Sequence, residues 1–288
     1  MVPTIAEVLK CYKSIALVER MKNGSPGEET VHNVKRGVRA VCEACGLPLS
    51  SPVTDLTRQR FERALATFMQ RGLKRLTALT YLWQVKSLFA KWCTPYYKDL
   101  GFEIPDLEFP RIKAKAQRYI RPPAELLAKV KRWYQGLKAE KWFAATMMLE
   151  FAMRNGDVLR LKKENFVTRD GGNYLYYTPH KTEQSSARRV YWPIHDDIWN
   201  RFMEYGGLDG LDVTDETFSE INKDLRALGF TGSKASYELR KICVDHIYQK
   251  FGAEMATSIS GDNIRTVSMY YADPSQPNIR DVRVADLL

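Results

Sequence analysis

The sequence predicts a mainly α-helical protein with two domains, the second of which contains a small three-stranded antiparallel sheet (α+β). Apolar residues recur at helical spacing over most of the chain, which is typical of helices that bury one face. Proline and glycine interrupt this spacing between residues 94 and 110, which indicates a break between domains. Runs rich in β-branched and aromatic residues lie between residues 165 and 194 and predict the sheet.

Length and composition are those of a folded protein. The chain has 288 residues, of which 44% are hydrophobic and 27% are charged. No apolar run reaches the length that spans a bilayer, and the first residues lack the pattern of a signal peptide. Five cysteines spread over a long chain are not the pattern of a disulfide framework. We therefore expect a cytoplasmic protein that does not contact membranes.

The positive charge is shared by both parts of the chain. The net charge is +10, and the isoelectric point is near 9.3. Residues 1–110 hold 16 Lys and Arg against 11 Asp and Glu, and residues 111–288 hold 28 against 23. Such an excess favours a polyanionic partner, most simply DNA or RNA. The alternative is that the basic side chains only solvate the surface.

Four helices are predicted in the first domain, residues 1–105. The first begins with a capping box at Thr4 and Glu7, in which each side chain accepts a hydrogen bond from the other residue's backbone. Glycine ends the second and the third helix. The predicted helices lie at about 5–15, 29–45, 57–72 and 77–92. They predict a small helical bundle.

A basic linker is predicted at residues 106–121. Its end contains five basic residues and no acidic residue, and such a strip can lie along a phosphate backbone. The alternative is an ordinary solvated connector. The candidate DNA-binding residues are Arg111, Lys113, Lys115, Arg118 and Arg121.

The second domain is predicted at residues 122–273, with a tail at 274–288 after it. A turn at Asp170–Asn173 joins the first two of three strands, which are predicted at 165–168, 174–178 and 188–194. A capping box at Thr217 and Glu220 is expected to begin one of the helices. The predicted helices lie at about 123–136, 140–153, 157 onwards, 195–205, 217–228, 236–250 and 260–271.

Four side chains in this domain form a set suited to chemistry on a phosphodiester: Arg154, Lys181, Arg240 and Tyr271. Two guanidinium groups can hold the phosphate oxygens, an ammonium group can protonate a leaving oxygen, and a phenolate can attack phosphorus. The order and spacing of these residues resemble the tyrosine recombinases, also called the phage-integrase family.

The resemblance rests on three segments. Glu150–Leu161 is similar to the family's first-arginine motif, in which Asp157 would orient Arg154. His180-Lys181-Thr182 is similar to the tip of the family's β-hairpin. Tyr237-Glu238-Leu239-Arg240 is similar to the second-arginine motif His-x-x-Arg, with Tyr237 in place of the histidine.

The last part of the resemblance concerns the nucleophile. Asp262 stands where the family has a histidine or a tryptophan, and Tyr271 lies nine residues further on, at the spacing of the family's attacking tyrosine. The neighbouring Tyr270 is the other candidate. Each motif taken alone has a simpler explanation, because a turn arginine, a hairpin lysine and packed tyrosines are all common.

The resemblance implies a DNA strand-exchange enzyme that works without a metal or cofactor. Tyr271 would form a 3′-phosphotyrosyl bond, Arg154 and Arg240 would hold the phosphate oxygens, and Lys181 would protonate the departing 5′-oxygen. The implied partners are double-stranded DNA and three further protomers, with the tail at 274–288 docking on a neighbour.

Two departures from the family leave alternatives open. Tyr237 can still donate a hydrogen bond to a phosphate but is a poor acid at neutral pH. An ionised Asp262 would repel a phosphate, so it is protonated, or turned to a basic partner, or the site is altered. The alternatives are therefore a DNA-binding protein with lost or weakened cleavage, and an enzyme similar to type IB topoisomerases.

A single C-x-x-C pair, Cys42 and Cys45, does not predict a metal site. Zinc needs four ligands, the chain has no second such pair, and its four histidines are not at ligand spacing. We expect both cysteines on the buried face of a helix.

Overall fold

The structure is a computed structural model, and it describes residues 1–24, 26–110, 118–180, 189–232 and 234–273. The chain divides into two compact units, Met1–Lys115 and Ala116–Leu288. The boundary falls inside the predicted linker at residues 106–121. The fold class is confirmed, since the chain is mainly helical with a three-stranded antiparallel sheet.

The four helices predicted in the first unit are confirmed. Their bounds are α1 (Ile5–Asn23), α2 (Glu28–Cys45), α3 (Arg58–Gln70) and α4 (Arg75–Leu88). Thr4 and Glu7 form the capping box before α1, and Thr57 caps α3. Gly46 ends α2 in the left-handed conformation, which a side chain would disfavour. The buried faces of the four helices form one apolar core.

A short fifth helix, α5 (Thr94–Asp99), was not predicted. The break predicted from residue 94 onwards is therefore wrong at Thr94-Pro95. Proline lacks a backbone N–H, but the first helical positions need none, so Pro95 begins a helix here. Tyr97 on this helix is buried and donates a hydrogen bond from its hydroxyl to the Leu88 carbonyl at 2.9 Å.

The second unit consists of helices around a small sheet. The helices before the sheet are α6 (Ala124–Gln135), α7 (Ala139–Leu149) and α8 (Asn155–Val158). Those after it are α9 (Asp196–Glu204), α10 (Asp215–Leu228), α11 (Tyr237–Phe251), α12 (Ala253–Ser260) and α13 (Ile264–Tyr270). α7 is almost wholly buried and packs against α10 and α11.

The sheet has the order β1-β2-β3, with β1 (Phe166–Arg169), β2 (Gly172–Tyr177) and β3 (Val190–Ile194) all antiparallel. Val167 pairs with Tyr174 across the first turn, and Leu175 pairs with Trp192 across the second pair of strands. All three predicted strands are confirmed, with bounds that shift by up to two residues. The tip between β2 and β3, residues 181–188, lies outside the described residues.

Two predictions about the helices are wrong. The capping box before α10 is formed by Thr214 and Thr217, not by Thr217 and Glu220, so this helix begins earlier than expected. The helix predicted at 260–271 begins only at Ile264, because Gly261 ends the unpredicted helix α12 in the left-handed conformation and Asn263 caps α13. The residue between these two caps is Asp262.

Cys42 and Cys45 lie on the buried face of α2 as free thiols, as expected. No three His, Cys, Asp or Glu side chains in the described ranges are grouped so that they could hold a metal ion. Among the described helices, none combines the length and the apolar character that a membrane span requires.

Two buried cysteine thiols in the first unit predict that the protein loses stability at alkaline pH. Burial raises the pKa of the Cys42 and Cys93 thiols from 9.0 to about 12. In the unfolded chain these thiols ionise near pH 9, so the stability is complete below that pH and is lost as the pH rises towards 12. Each thiol contributes a slope of about 1.4 kcal/mol per pH unit.

Urea unfolding of the full chain between pH 8 and pH 10.5 measures this slope. Cys42→Ala is expected to reduce it, and Cys11→Ala, at a partly exposed position on α1, serves as the matched control. A free energy of unfolding that stays level above pH 9 would contradict the prediction.

Candidate active site

Arg154 lies in the turn between α7 and α8. Ala152, two residues before it, is buried with φ +51°, a conformation that a residue with a side chain rarely adopts. The turn is tied to the start of α11, because Asn155 Nδ2 donates to Ser236 Oγ at 3.1 Å. The first-arginine motif therefore contacts the segment that carries the second.

Arg240 lies in the first turns of α11 and is fully buried. Its Nη2 donates to the Ser260 carbonyl at 2.8 Å, its Nη1 donates to the Ala152 carbonyl, and its Nε donates to the Tyr271 hydroxyl at 3.2 Å. A buried guanidinium group needs such partners, since an unpaired charge in the interior costs several kcal/mol, roughly 3–5 when one partner of a buried pair is removed. The unusual backbone at Ala152 thus supplies one of the acceptors.

Asp262 joins the two arginines. Its Oδ1 accepts from Arg154 Nη2 at 2.7 Å, and its Oδ2 accepts from Arg240 Nη2 at 2.6 Å. The carboxylate is 14% exposed and the Arg154 side chain 15%, so solvent screens the pairs only weakly. This is the basic-partner alternative raised from the sequence, and the partners are Arg154 and Arg240. Lys241, by contrast, pairs with Glu238 at 2.8 Å.

Tyr271 lies at the end of α13 and points into the same site. Its hydroxyl is hydrogen-bonded to the Tyr237 hydroxyl as well as to Arg240, and its ring centroid lies 5.3 Å from the Arg240 guanidinium. Burial raises the pKa of Tyr271; Arg240 lowers it in part, and Tyr237 and Asp262 raise it further. The phenol is therefore neutral at neutral pH and must lose its proton if it acts as a nucleophile.

The two adjacent tyrosines face different surroundings. Tyr271 is 3% exposed and contacts Arg240, whereas Tyr270 is 45% exposed. The count of nine residues from Asp262 therefore selects Tyr271, the tyrosine whose hydroxyl contacts Arg240.

Asp157 lies on α8, three residues after Arg154. Its Oδ2 is 3.7 Å from Arg154 Nη1, too long for a hydrogen bond, and its Oδ1 accepts from the His180 backbone N–H at 3.0 Å. Arg154 Nη1 is buried and has no hydrogen-bond partner within the described part of the chain. Nη1 thus faces the Asp157 Oδ2 atom, which also lacks a hydrogen-bond partner within that part of the chain. Lys181, the residue after His180, lies outside the described residues.

The predicted DNA-binding residues of the linker are described only in part. Arg111, Lys113 and Lys115 lie outside the described residues, and Arg118 is exposed. Arg121 donates from Nε to Asp245 Oδ2 at 2.6 Å. That these five residues contact DNA stays a prediction.

Three residues of the site were not found from the sequence. Ala152 and Ser260 contribute backbone carbonyls to Arg240. Every residue has such a carbonyl, so no sequence pattern indicates which ones accept a hydrogen bond in the site. Tyr177 ends β2 beneath the two arginines, where burial raises its pKa. The sequence placed it in a predicted strand but did not indicate what it lies against.

Comparisons with solved structures identify the fold. A lambda integrase tetramer bound to a Holliday junction matches with a TM-score of 0.68 at 15% identity, over 98% of this chain and 80% of that chain. XerH site-specific recombinase bound to palindromic difH matches with a TM-score of 0.66 at 13% identity, over 88% and 79%. The Tn1549 transposon integrase in complex with a circular intermediate DNA matches with a TM-score of 0.63 at 12% identity, over 99% and 100%.

At the level of sequence alone, no protein-family model and no curated protein matches the chain. The three structural neighbours are tyrosine recombinases, and at identities of 12–15% their likeness shows that this chain has the same fold.

Proposed function

We propose that this chain, which has the fold of the tyrosine recombinases, is a site-specific recombinase that cuts and rejoins DNA through a 3′-phosphotyrosyl intermediate. The observation that carries the proposal is the position of the Tyr271 hydroxyl, 3.2 Å from Nε of a fully buried arginine that Asp262 links to Arg154. A nucleophile and two cations at one point are what transfer of a phosphoryl group requires.

In the proposed reaction, Tyr271 Oη gives up its proton to water and attacks the scissile phosphorus, and the bond to the 5′-oxygen breaks. Arg154, whose Nη2 donates to Asp262 and whose Nη1 faces Asp157, turns a donor to a non-bridging oxygen when DNA binds. Lys181 gives a proton to the departing 5′-oxygen. A second strand's 5′-hydroxyl then attacks the phosphotyrosyl bond, which releases Tyr271 and needs no external energy source.

Tyr237 takes a role of its own in this scheme. Its hydroxyl is hydrogen-bonded to that of Tyr271, so it can donate to the attacking oxygen as that oxygen loses its proton and becomes negatively charged. Once Tyr271 is bound to phosphorus, the same hydroxyl can donate to a phosphate oxygen. A histidine at this position could do the second task as a cation, whereas Tyr237 does it as a neutral group.

The proposed partners are double-stranded DNA and further copies of the chain. Both parts of the sequence carry a net charge of +5, which favours a polyanion. The structural neighbours include a tetramer on a Holliday junction and a dimer on a core site. We propose the same kind of assembly here, in which two duplexes exchange strands.

A second candidate is a DNA-binding protein with lost or weakened cleavage, and Asp262 favours it. Its carboxylate lies between the two arginines and occupies donors that would otherwise be free for a phosphate. It also cancels one of the two positive charges of the arginines. If this carboxylate stays bound to both arginines when DNA is present, the site would bind DNA without cutting it.

Covalent trapping distinguishes the two candidates. A duplex selected by the protein from a random-sequence library is rebuilt with a nick beside the cleavage point, so that cleavage releases a short strand and cannot reverse. The wild-type chain is expected to give a protein–DNA adduct that survives a denaturing gel. Retarded mobility in a native gel without any adduct would support the second candidate. The absence of both the adduct and the retarded mobility would contradict both candidates.

A further inference from the structure

The contacts of Arg121 indicate a role that its place in a basic linker did not predict. Its Nε donates to Asp245 Oδ2 at 2.6 Å, and its backbone N–H donates to Asp273 Oδ2 at 2.9 Å. The two acceptors are almost completely buried, with 2% and 5% of their surface exposed. The guanidinium group is therefore committed to a carboxylate in the interior of the second unit.

Asp245 is the centre of this cluster. It lies on α11 and also accepts from the Asp273 backbone N–H at 3.1 Å. Gln249, one turn further along α11, donates from Nε2 to Asp245 Oδ1 at 3.4 Å and to the Asp273 carbonyl at 3.5 Å. Three segments thus meet: the end of the linker, the middle of α11 and the chain directly after α13.

The third of these segments carries the proposed nucleophile. Asp273 lies two residues after Tyr271, and two residues span at most about 7 Å. Tyr271, Ala272 and Asp273 are all buried, so this short segment has little freedom once Asp273 is fixed. The position of Asp273 therefore limits where the Tyr271 hydroxyl can lie.

The first segment is held to α11 at a second point. Tyr119 is 5% exposed, and the Lys241 ammonium group lies 5.8 Å from its ring centroid. Lys241 is the neighbour of Arg240, which contacts Tyr271. The end of the linker is thus packed along the helix that carries the second arginine.

We infer that Arg121 is a positioning residue for the nucleophile: through Asp245 and Asp273 it fixes the chain after Tyr271 and holds the attacking hydroxyl beside Arg240. This inference rests on the proposed function. Arginine suits the task because it stays charged and directs its donors in a fixed geometry. Removing it leaves Asp245 buried without this cation beside it, which favours a rearranged segment.

The test compares cleavage, DNA affinity and local exchange in the full chain. Arg121→Ala is expected to lower single-turnover cleavage at saturating DNA by about 10- to 100-fold, the effect of a misplaced reacting group. DNA affinity should change far less, and deuterium uptake in a peptide covering 264–273 should rise. Arg121→Lys should restore part of the cleavage rate. The matched control is Arg132→Ala, which removes an exposed arginine from α6.

A double variant with Asp245→Asn sharpens the result. If the two residues act as one unit, the pair should cost little more than Arg121→Ala alone. Lost DNA affinity with an unchanged saturated cleavage rate would overturn the inference and make Arg121 a DNA contact, and so would unchanged deuterium uptake. A wild-type chain without adduct would contradict the proposed function, while the exchange measurement would still decide the role of Arg121.

Discussion

Tyr271→Phe is expected to abolish the covalent adduct while leaving DNA affinity nearly unchanged. The substitution removes one oxygen atom, the one that Arg240 Nε contacts at 3.2 Å, and keeps the ring that packs in the site. Without that oxygen no bond to phosphorus can form, so the loss should be complete within the detection limit of the gel. The measurement is single-turnover trapping on the nicked duplex, with affinity measured in parallel.

Tyr270→Phe is the matched control for this prediction. It makes the same chemical change one residue away, on a side chain that is 45% exposed. It should form adduct at the wild-type rate. Adduct from Tyr271→Phe, together with none from Tyr270→Phe, would show that the nucleophile is the other tyrosine and that α13 rearranges on DNA.

Replacing Asp262 is expected to lower cleavage more than DNA binding. Within the described ranges, the hydrogen bond that Arg154 donates goes to Asp262. Arg240, by contrast, keeps the Ala152 and Ser260 carbonyls as acceptors when Asp262 is replaced. Asp262→Ala should therefore free Arg154 to move and reduce single-turnover cleavage by about 10- to 100-fold. Binding should hold or strengthen, because the local net charge rises by one.

Asp262→His places at this position the residue type that the recombinase family uses. It should also lower cleavage, because an imidazole cannot accept from both arginines at once. A clear gain in cleavage for either variant would contradict this expectation. It would show instead that the carboxylate competes with the scissile phosphate, so that Asp262 inhibits cleavage.

The sequence predicted the fold well wherever local signals agreed with one another. Thr4 and Glu7, Thr57 and Gly46 each marked a helix end that the structure confirms. The prediction failed where one residue is compatible with two positions relative to a helix end. Pro95 begins a helix as readily as it breaks one, and Thr217 closes the capping box before α10 rather than opening a new one. Only the surrounding packing decides such cases.

The candidate site was predicted as a set of side chains but not as an arrangement. Spacing along the chain brought Arg154, Arg240 and Tyr271 into one hypothesis, and the structure places these side chains together. A basic partner for Asp262 was foreseen, but not its contact with Arg154 as well as Arg240, because the Arg154 contact joins segments 108 residues apart. Nor could the spacing predict Arg121, whose neighbours in sequence are basic while its neighbour in space is Asp245.

Gly261 sets a limit on how far this site can drift during evolution. Its φ is +66°, and a Cβ atom there would lie 3.2 Å from Pro179 Cγ, at the base of the hairpin that leads to Lys181. Any other residue would strain the backbone before Asp262 and press on that base at the same time. An exchange at Asp262 changes only the contacts of that side chain, whereas an exchange at Gly261 moves two parts of the site at once. The glycine does no chemistry, yet both the segment with Asp262 and the base of the hairpin depend on it.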